Sequence, residues 1–330
     1  MQKLLKFFWF SASVTVVGLI AMYLYGGIAA LLTAALLVLL EVTLSFDNAV
    51  VNARVLKKMN ALWQRRFLTW GILIAVFGTR FVLPILIVSL IVWASPWAIT
   101  LLAIFDPAHY GELLHEAGYA IHAFGAAFLI MVSLKYFLDS QKKVHWIKAL
   151  EEHLTLWGRI EAIEIVLTLI VIAGISFLVP LDARATVLVS GIFGVILFIV
   201  MQGITSAFSI EAKETATQSV ALFAYLEVLD AAFSLDGVIG AFALTSSIPI
   251  IAVGLGIGAF FVRSLTIYMV REKTLDTLTY LEHGAHWAIF GLAASMFVSL
   301  LTEVPELVTG TIGVIFVLAA YWSSVRLQKR

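Results

Sequence analysis

The chain has 330 residues and no net formal charge, with 62% hydrophobic residues, 13% charged residues and a mean hydropathy of +1.03. Soluble domains carry about 45–50% apolar and about 25% charged residues, so the composition excludes an ordinary soluble domain and points to a polytopic, all-α membrane protein. Zero net charge gives no bias toward nucleic acid, and the lack of cysteine excludes disulfides and thiolate metal sites.

Apolar windows of about 20 residues can cross a bilayer as helices. Ten are expected, at 7–25, 28–51, 69–93, 119–138, 160–179, 186–204, 218–243, 248–270, 284–302 and 305–323. Lys3 and Lys6 before the first give it the look of a secretory signal, but its length and the many spans that follow favour an uncleaved helix. Between the third and fourth spans, Ser95–Phe105 is apolar but short, and 94–118 is expected to be interfacial or re-entrant. Five residues of 52–68 are basic (Arg54, Lys57, Lys58, Arg65, Arg66), as are Lys142, Lys143, Lys148 and Arg159 in 139–159. Lys213, Arg271, Lys273, Arg326, Lys329 and Arg330 continue the same alternation, whereas 94–118 has acids and no Lys or Arg. The positive-inside rule then predicts both termini in the cytoplasm of a multi-pass protein. Trp63, Trp93, Trp97, Trp146 and Trp322 flank spans and read as interface anchors.

Two stretches break the apolar pattern. The second span holds Glu41, Ser45, Asp47 and Asn48; the seventh holds Asp230, Ser234 and Asp236, with Gly237 in the asparagine's place. The repetition continues outward. Arg80 corresponds to Arg263, Gly118–Leu134 aligns on Gly284–Leu300, and Glu161 and Glu164 match Glu303 and Glu306. Residues 1–180 and 181–330 therefore read as two repeats of five spans, inverted because five is odd, forming one membrane domain.

Ionisable groups at membrane depth are costly unless paired, hydrated or bound to an ion. On a regular helix Glu41, Ser45, Asn48 and Asn52 share a face while Asp47 points away, so a helix break near each motif is expected. Four carboxylates (Glu41, Asp47, Asp230, Asp236) against two arginines (Arg80, Arg263) leave a deficit of two charges. A hard divalent cation would fill it, with Asn48, Ser45 and Ser234 as neutral ligands. A buried ion-pair network that only joins helices is the structural alternative. Glu227 lies one turn before Asp230 without a counterpart in the first motif, and is either a further ligand or proton carrier or simply a hydrogen-bonded structural residue. His122 titrates in a useful range but, alone on an apolar face, is more simply hydrogen-bonded to a carbonyl. His115-Glu116 lacks the second histidine of a zinc-protease motif, and no nucleophile–base pair or phosphate-cradling loop is present, so no enzyme activity is expected.

The pattern Glu41-x-x-Leu44-Ser45-x-Asp47-Asn48 with Asp230-x-x-Phe233-Ser234-x-Asp236 resembles the paired signature of the TerC family of integral membrane proteins. That family includes Alx-type manganese exporters and belongs to the LysE-like transporter group. The resemblance covers both motifs, the arginine in each following span and the glycine-containing spans after those, about half the chain. Gly237 and the additional spans around 160–204 mark a divergent subfamily. It implies a bacterial inner-membrane transporter exporting Mn²⁺ or Ca²⁺, with proton antiport, no resident cofactor, and a link to tellurium or metal resistance. Its partners would be the lipid bilayer, the metal ion and, in an oligomer, further copies of the chain. The rival expectations are a non-transporting scaffold of a metal or tellurite stress complex and an exporter of small organic cations.

Overall fold

The computed structural model describes residues 2–71, 73–210, 216–302 and 304–328, so Lys213, Glu303, Lys329 and Arg330 lie outside the described residues, as does the Glu306 side chain. Those residues are mostly helical, joined by short turns and irregular connections, with no strand among them. Helices α1 (Gln2–Leu44), α2 (Phe46–Leu56) and α3 (Ala61–Arg66) lead into two π-helical stretches, Phe67–Gly71 and Ile74–Val82. Next come α4 (Leu83–Val92), the short α5 (Pro96–Phe105) and α6 (Pro107–Glu116), and α7 (Gly118–Phe137). The chain continues through α8 (Lys148–Trp157), α9 (Ile163–Leu178), α10 (Arg184–Ile210), α11 (Ala216–Leu244) and α12 (Ile248–Arg271). It closes with α13 (Thr274–Thr277), α14 (Leu281–Ser299) and α15 (Glu306–Gln328).

Among the described residues, five segments are long and apolar enough to cross a bilayer: Phe7–Leu44, Gly118–Phe137, Arg184–Ala207, Ile248–Arg271 and Val308–Gln328. The bent pair Ala61–Gly71 and Val76–Val92 would make a sixth. Among the other expected spans, α9 is short, and α11 is long but carries the acids Glu227, Asp230 and Asp236.

The chain divides into two compact units, Met1–Gly118 with Glu214–Glu272 and Tyr119–Lys213 with Lys273–Arg330, so each is built from two separate stretches of the sequence. In the first, α1 reverses direction at Gly26–Gly27, where Gly27 has φ +68°. That left-handed conformation suits a residue without Cβ. The reversal is visible in what each arm touches on α12. Going forward along the first arm, Phe7 meets Tyr268, Ser11 bonds to Ser264 and the Phe260 carbonyl, and Gly18 lies against Ile257 and Val253. The second arm returns, with Leu37 against Gly254 and then Glu41 against Gly258. Glycines on α12 make this approach possible, as small residues do wherever membrane helices pack closely.

In the second unit, α14 packs on α15 in the same manner, Gly284 against Ala320 and Phe316 and Gly291 against Ile312. Phe128, Leu129, Met131 and Phe137 of α7 are fully buried. Glu164 of α9 accepts from Lys135 of α7 at 2.9 Å.

Candidate functional site

The first motif breaks its helix. Leu44 ends α1, Ser45 adopts φ −104° and ψ 12°, and Phe46 opens α2. Asp47 falls in the first turn of α2, where a carboxylate complements the helix dipole, and its Oδ1 accepts from the Asn48 backbone N–H at 2.9 Å. The expected break at the second motif is absent. Helix α11 runs from Ala216 to Leu244 without interruption. At Gly237, where the first copy has Asn48, a Cβ would begin 3.3 Å from the Glu41 carboxylate, so α11 passes close to Glu41 there.

Both motifs meet in the first compact unit. A cavity of about 40 Å³ is lined by Ser45, Asn48 and Asn52 from the α1–α2 break and by Asp230 and Ser234 from α11, with Arg80 and Arg263 at its wall. Glu41 is buried beside it, bonded to the Arg80 guanidinium and accepting from Ser45 Oγ at 3.1 Å. Asp230 is held differently. Asn52 donates its amide to Oδ1 at 2.9 Å, and the Asn48 amide donates as well. Each asparagine thereby commits its N–H to Asp230 and leaves its carbonyl oxygen without a partner. The Oδ1 atoms of Asn48 and Asn52 and the Ser234 hydroxyl are all buried and unpartnered. Such orphaned oxygens are uncommon in packed interiors and cost roughly 1–3 kcal/mol each.

The remaining expected residues are distributed as follows. Asp47 and Asp236 are buried but do not line the cavity. Arg263 donates through Nε to the Leu68 carbonyl at 2.8 Å rather than taking up the Asp230 role that Arg80 plays for Glu41. Both carboxylate oxygens of Glu227 are buried without a hydrogen-bond partner, against Gly71 of the first π-helical stretch. His122 is half-buried on α7 in the other unit. Among the described residues no three His, Cys, Asp or Glu side chains gather as a metal-holding group. The oxygens that surround the cavity are therefore mainly neutral ones, with one carboxylate. Asn52 carries more of this geometry than its place at the end of the first motif suggested, and its position one turn after Asn48 was the available signal.

A chain with several apolar helices of membrane-spanning length and a buried polar cavity belongs to the multi-pass helical membrane proteins. Residues 46–330 match the model of a family described as "Protein of unknown function (DUF475)", and the chain is a member of that family. No curated protein and no solved structure matches it.

Proposed function

We propose that the protein is a secondary transporter for a hard metal cation, Mn²⁺ foremost, exporting it across a bacterial plasma membrane by alternating access in exchange for protons. The observation that carries this reading is the trio of buried, unpartnered oxygens on Asn48, Asn52 and Ser234 around the Asp230 carboxylate. Carbonyl, hydroxyl and carboxylate oxygens are the ligands of Mg²⁺, Ca²⁺ and Mn²⁺. An arriving cation would satisfy all of them at once.

Size supports the same choice. One water needs about 10–15 Å³ on the comparable measure. A 40 Å³ cavity thus suits an ion with part of its water shell and is too small for an amino acid or organic cation. The Glu41–Arg80 pair would neutralise one acid and leave Asp230 for the ion, with Asp47 and Asp236 entering the coordination as the site rearranges. Glu227 fits the proton carrier of an antiport, since a buried carboxylate without a partner is stable only when neutralised. The resemblance of the paired motifs to the signature of the TerC family, which includes manganese exporters, supports Mn²⁺ or Ca²⁺ as the cargo. Ten spans in two inverted repeats are the matching architecture, with the two arms of α1 as the first two spans.

Flux in proteoliposomes decides the matter. Asp230→Asn should abolish Mn²⁺ transport and carboxylate-dependent Mn²⁺ binding while leaving the protein monodisperse, across a panel of divalent ions and at two pH values. Retained flux in that variant would overturn the reading. A native protein that neither carries Mn²⁺ flux nor binds Mn²⁺ in a carboxylate-dependent way would instead favour the scaffold reading.

A further inference from the structure

The segment between α7 and α9 carries a second construction, in the other compact unit, that ion transport does not use. Glu151 on α8 is fully buried, yet it is held by five hydrogen bonds. Its Oε2 accepts from Lys142 Nζ, the Trp146 backbone N–H and His283 Nδ1; its Oε1 accepts from the Ile147 backbone N–H and Trp287 Nε1. His283 and Trp287 lie in the first turns of α14, and Lys142 sits over the rings of Tyr136 and Phe137 at the end of α7. The carboxylate thus pins α8 at the end of a membrane-spanning helix.

With Glu151 turned inward, the opposite flank of α8 is left uncovered. Leu150 and Trp157, seven residues apart, lie on one exposed side, and Leu156 beside them; they are 46%, 53% and 54% exposed respectively. Ile147 and Ile160 extend the apolar strip at either end of the helix. Lys143, Lys148 and Arg159 are exposed around it. Apolar residues with a tryptophan, edged by basic residues and fixed at the end of a spanning helix, form the pattern of a helix lying in a headgroup layer.

We infer that α8 is an interfacial helix docked on the anionic cytoplasmic leaflet, its apolar flank among the acyl-chain ends and Lys143, Lys148 and Arg159 against lipid phosphates. Basic side chains beside a membrane are attracted by anionic lipid, and their long stems let the charges reach the headgroups while the helix stays embedded. This inference rests on the membrane reading and the charge-derived orientation, not on the identity of any transported ion.

The native chain has no cysteine, so single-cysteine variants carry one reporter each. Leu156→Cys and Trp157→Cys, labelled with a polarity-sensitive fluorophore, would be compared with Gln141→Cys on the exposed loop, in vesicles containing phosphatidylglycerol. The expected result is blue-shifted emission at both α8 positions, quenching by headgroup-depth nitroxide lipids, and several-fold weaker quenching by aqueous iodide than at Gln141. Replacing Lys143, Lys148 and Arg159 together with glutamine should remove the difference between anionic and purely zwitterionic vesicles. Iodide quenching equal to that at Gln141 would overturn the proposal. So would a label shielded from both iodide and nitroxide lipid, which would place a second protein copy on this face.

Discussion

Asn48 and Asn52 stand one turn apart on α2 and point their amide N–H groups at the same carboxylate, which aims their carbonyl oxygens into the cavity. Glu41 is positioned just as closely by what is absent opposite it. A Cβ on Gly258 would overlap the Glu41 Cβ and Cγ, whereas a Cβ on Gly256 would meet only Val76, at an ordinary 3.8 Å. Alanine is intrinsically better than glycine in a helix by about 1 kcal/mol. At Gly258 the overlap should outweigh that gain, because overpacking a buried contact costs about 1–3 kcal/mol. Gly258→Ala should therefore lower the thermal midpoint of the purified protein and displace Glu41 from Arg80, while Gly256→Ala leaves the midpoint unchanged or raised. Equal midpoints for the two variants would contradict the packing described for α1 and α12.

At the level of elements, the hydrogen bonds around Glu151 give a pH dependence with a definite sign. Burial by itself would raise its carboxyl, but the bonds from His283, Trp287 and Lys142, together with the His283 charge, outweigh burial and hold it far below the ordinary carboxylate range. Burial also pushes the Lys142 ammonium down, against the pull of Glu151. A carboxyl depressed in the folded state stabilises the fold fully above its unfolded value, and that contribution disappears as pH falls toward the folded value. Glu151→Gln should thus cost about 3 kcal/mol at neutral pH, since it leaves Lys142 buried opposite a neutral group. The gap in unfolding midpoint between native protein and variant should narrow only well below about pH 4, beneath the unfolded glutamate range. A gap that stays constant as pH falls well below that range would refute the assignment.

Helix positions were largely legible in the chain, because apolar windows and breaker residues act locally. Gly26–Gly27 between two apolar runs and the polar residues at Ser45–Asp47 both coincide with real discontinuities. The straightness of α11 was not legible. Its motif has the same spacing as the first, and only the approach of Glu41 to Gly237, 196 positions apart in the sequence numbering, distinguishes them. The π-helical path from Phe67 to Val82, and Glu151 as a buried anchor, depend on the same kind of distant contact. Within the cavity, the acids were legible as costly residues, but their division of labour was not. Which one meets Arg80 and which meets two asparagines is decided by helix packing.

For the whole molecule, the arrangement of charges makes the sharpest prediction. Lys143 is exposed in a basic loop, and Glu112 is exposed on α6 in a segment that has acids but no Lys or Arg. In intact cells, a membrane-impermeant thiol reagent should modify Glu112→Cys and leave Lys143→Cys unmodified until the membrane is opened. The reverse pattern would invert the molecule, and with it the direction of export. Reaction of both from one side would remove the odd number of crossings between them.

The joint at Ser45 has a mechanical corollary. One wall of the cavity is articulated there, so a change in two backbone torsions would swing Asn48 and Asn52 on α2 away from their opposite number. The facing wall, α11, is an unbroken rod of 29 residues, and Asp230 moves only if the rod moves. Whatever opens this chamber meets a stiff jamb on one side and a swinging leaf on the other, and loosening the leaf alone is enough to release the asparagines' grip.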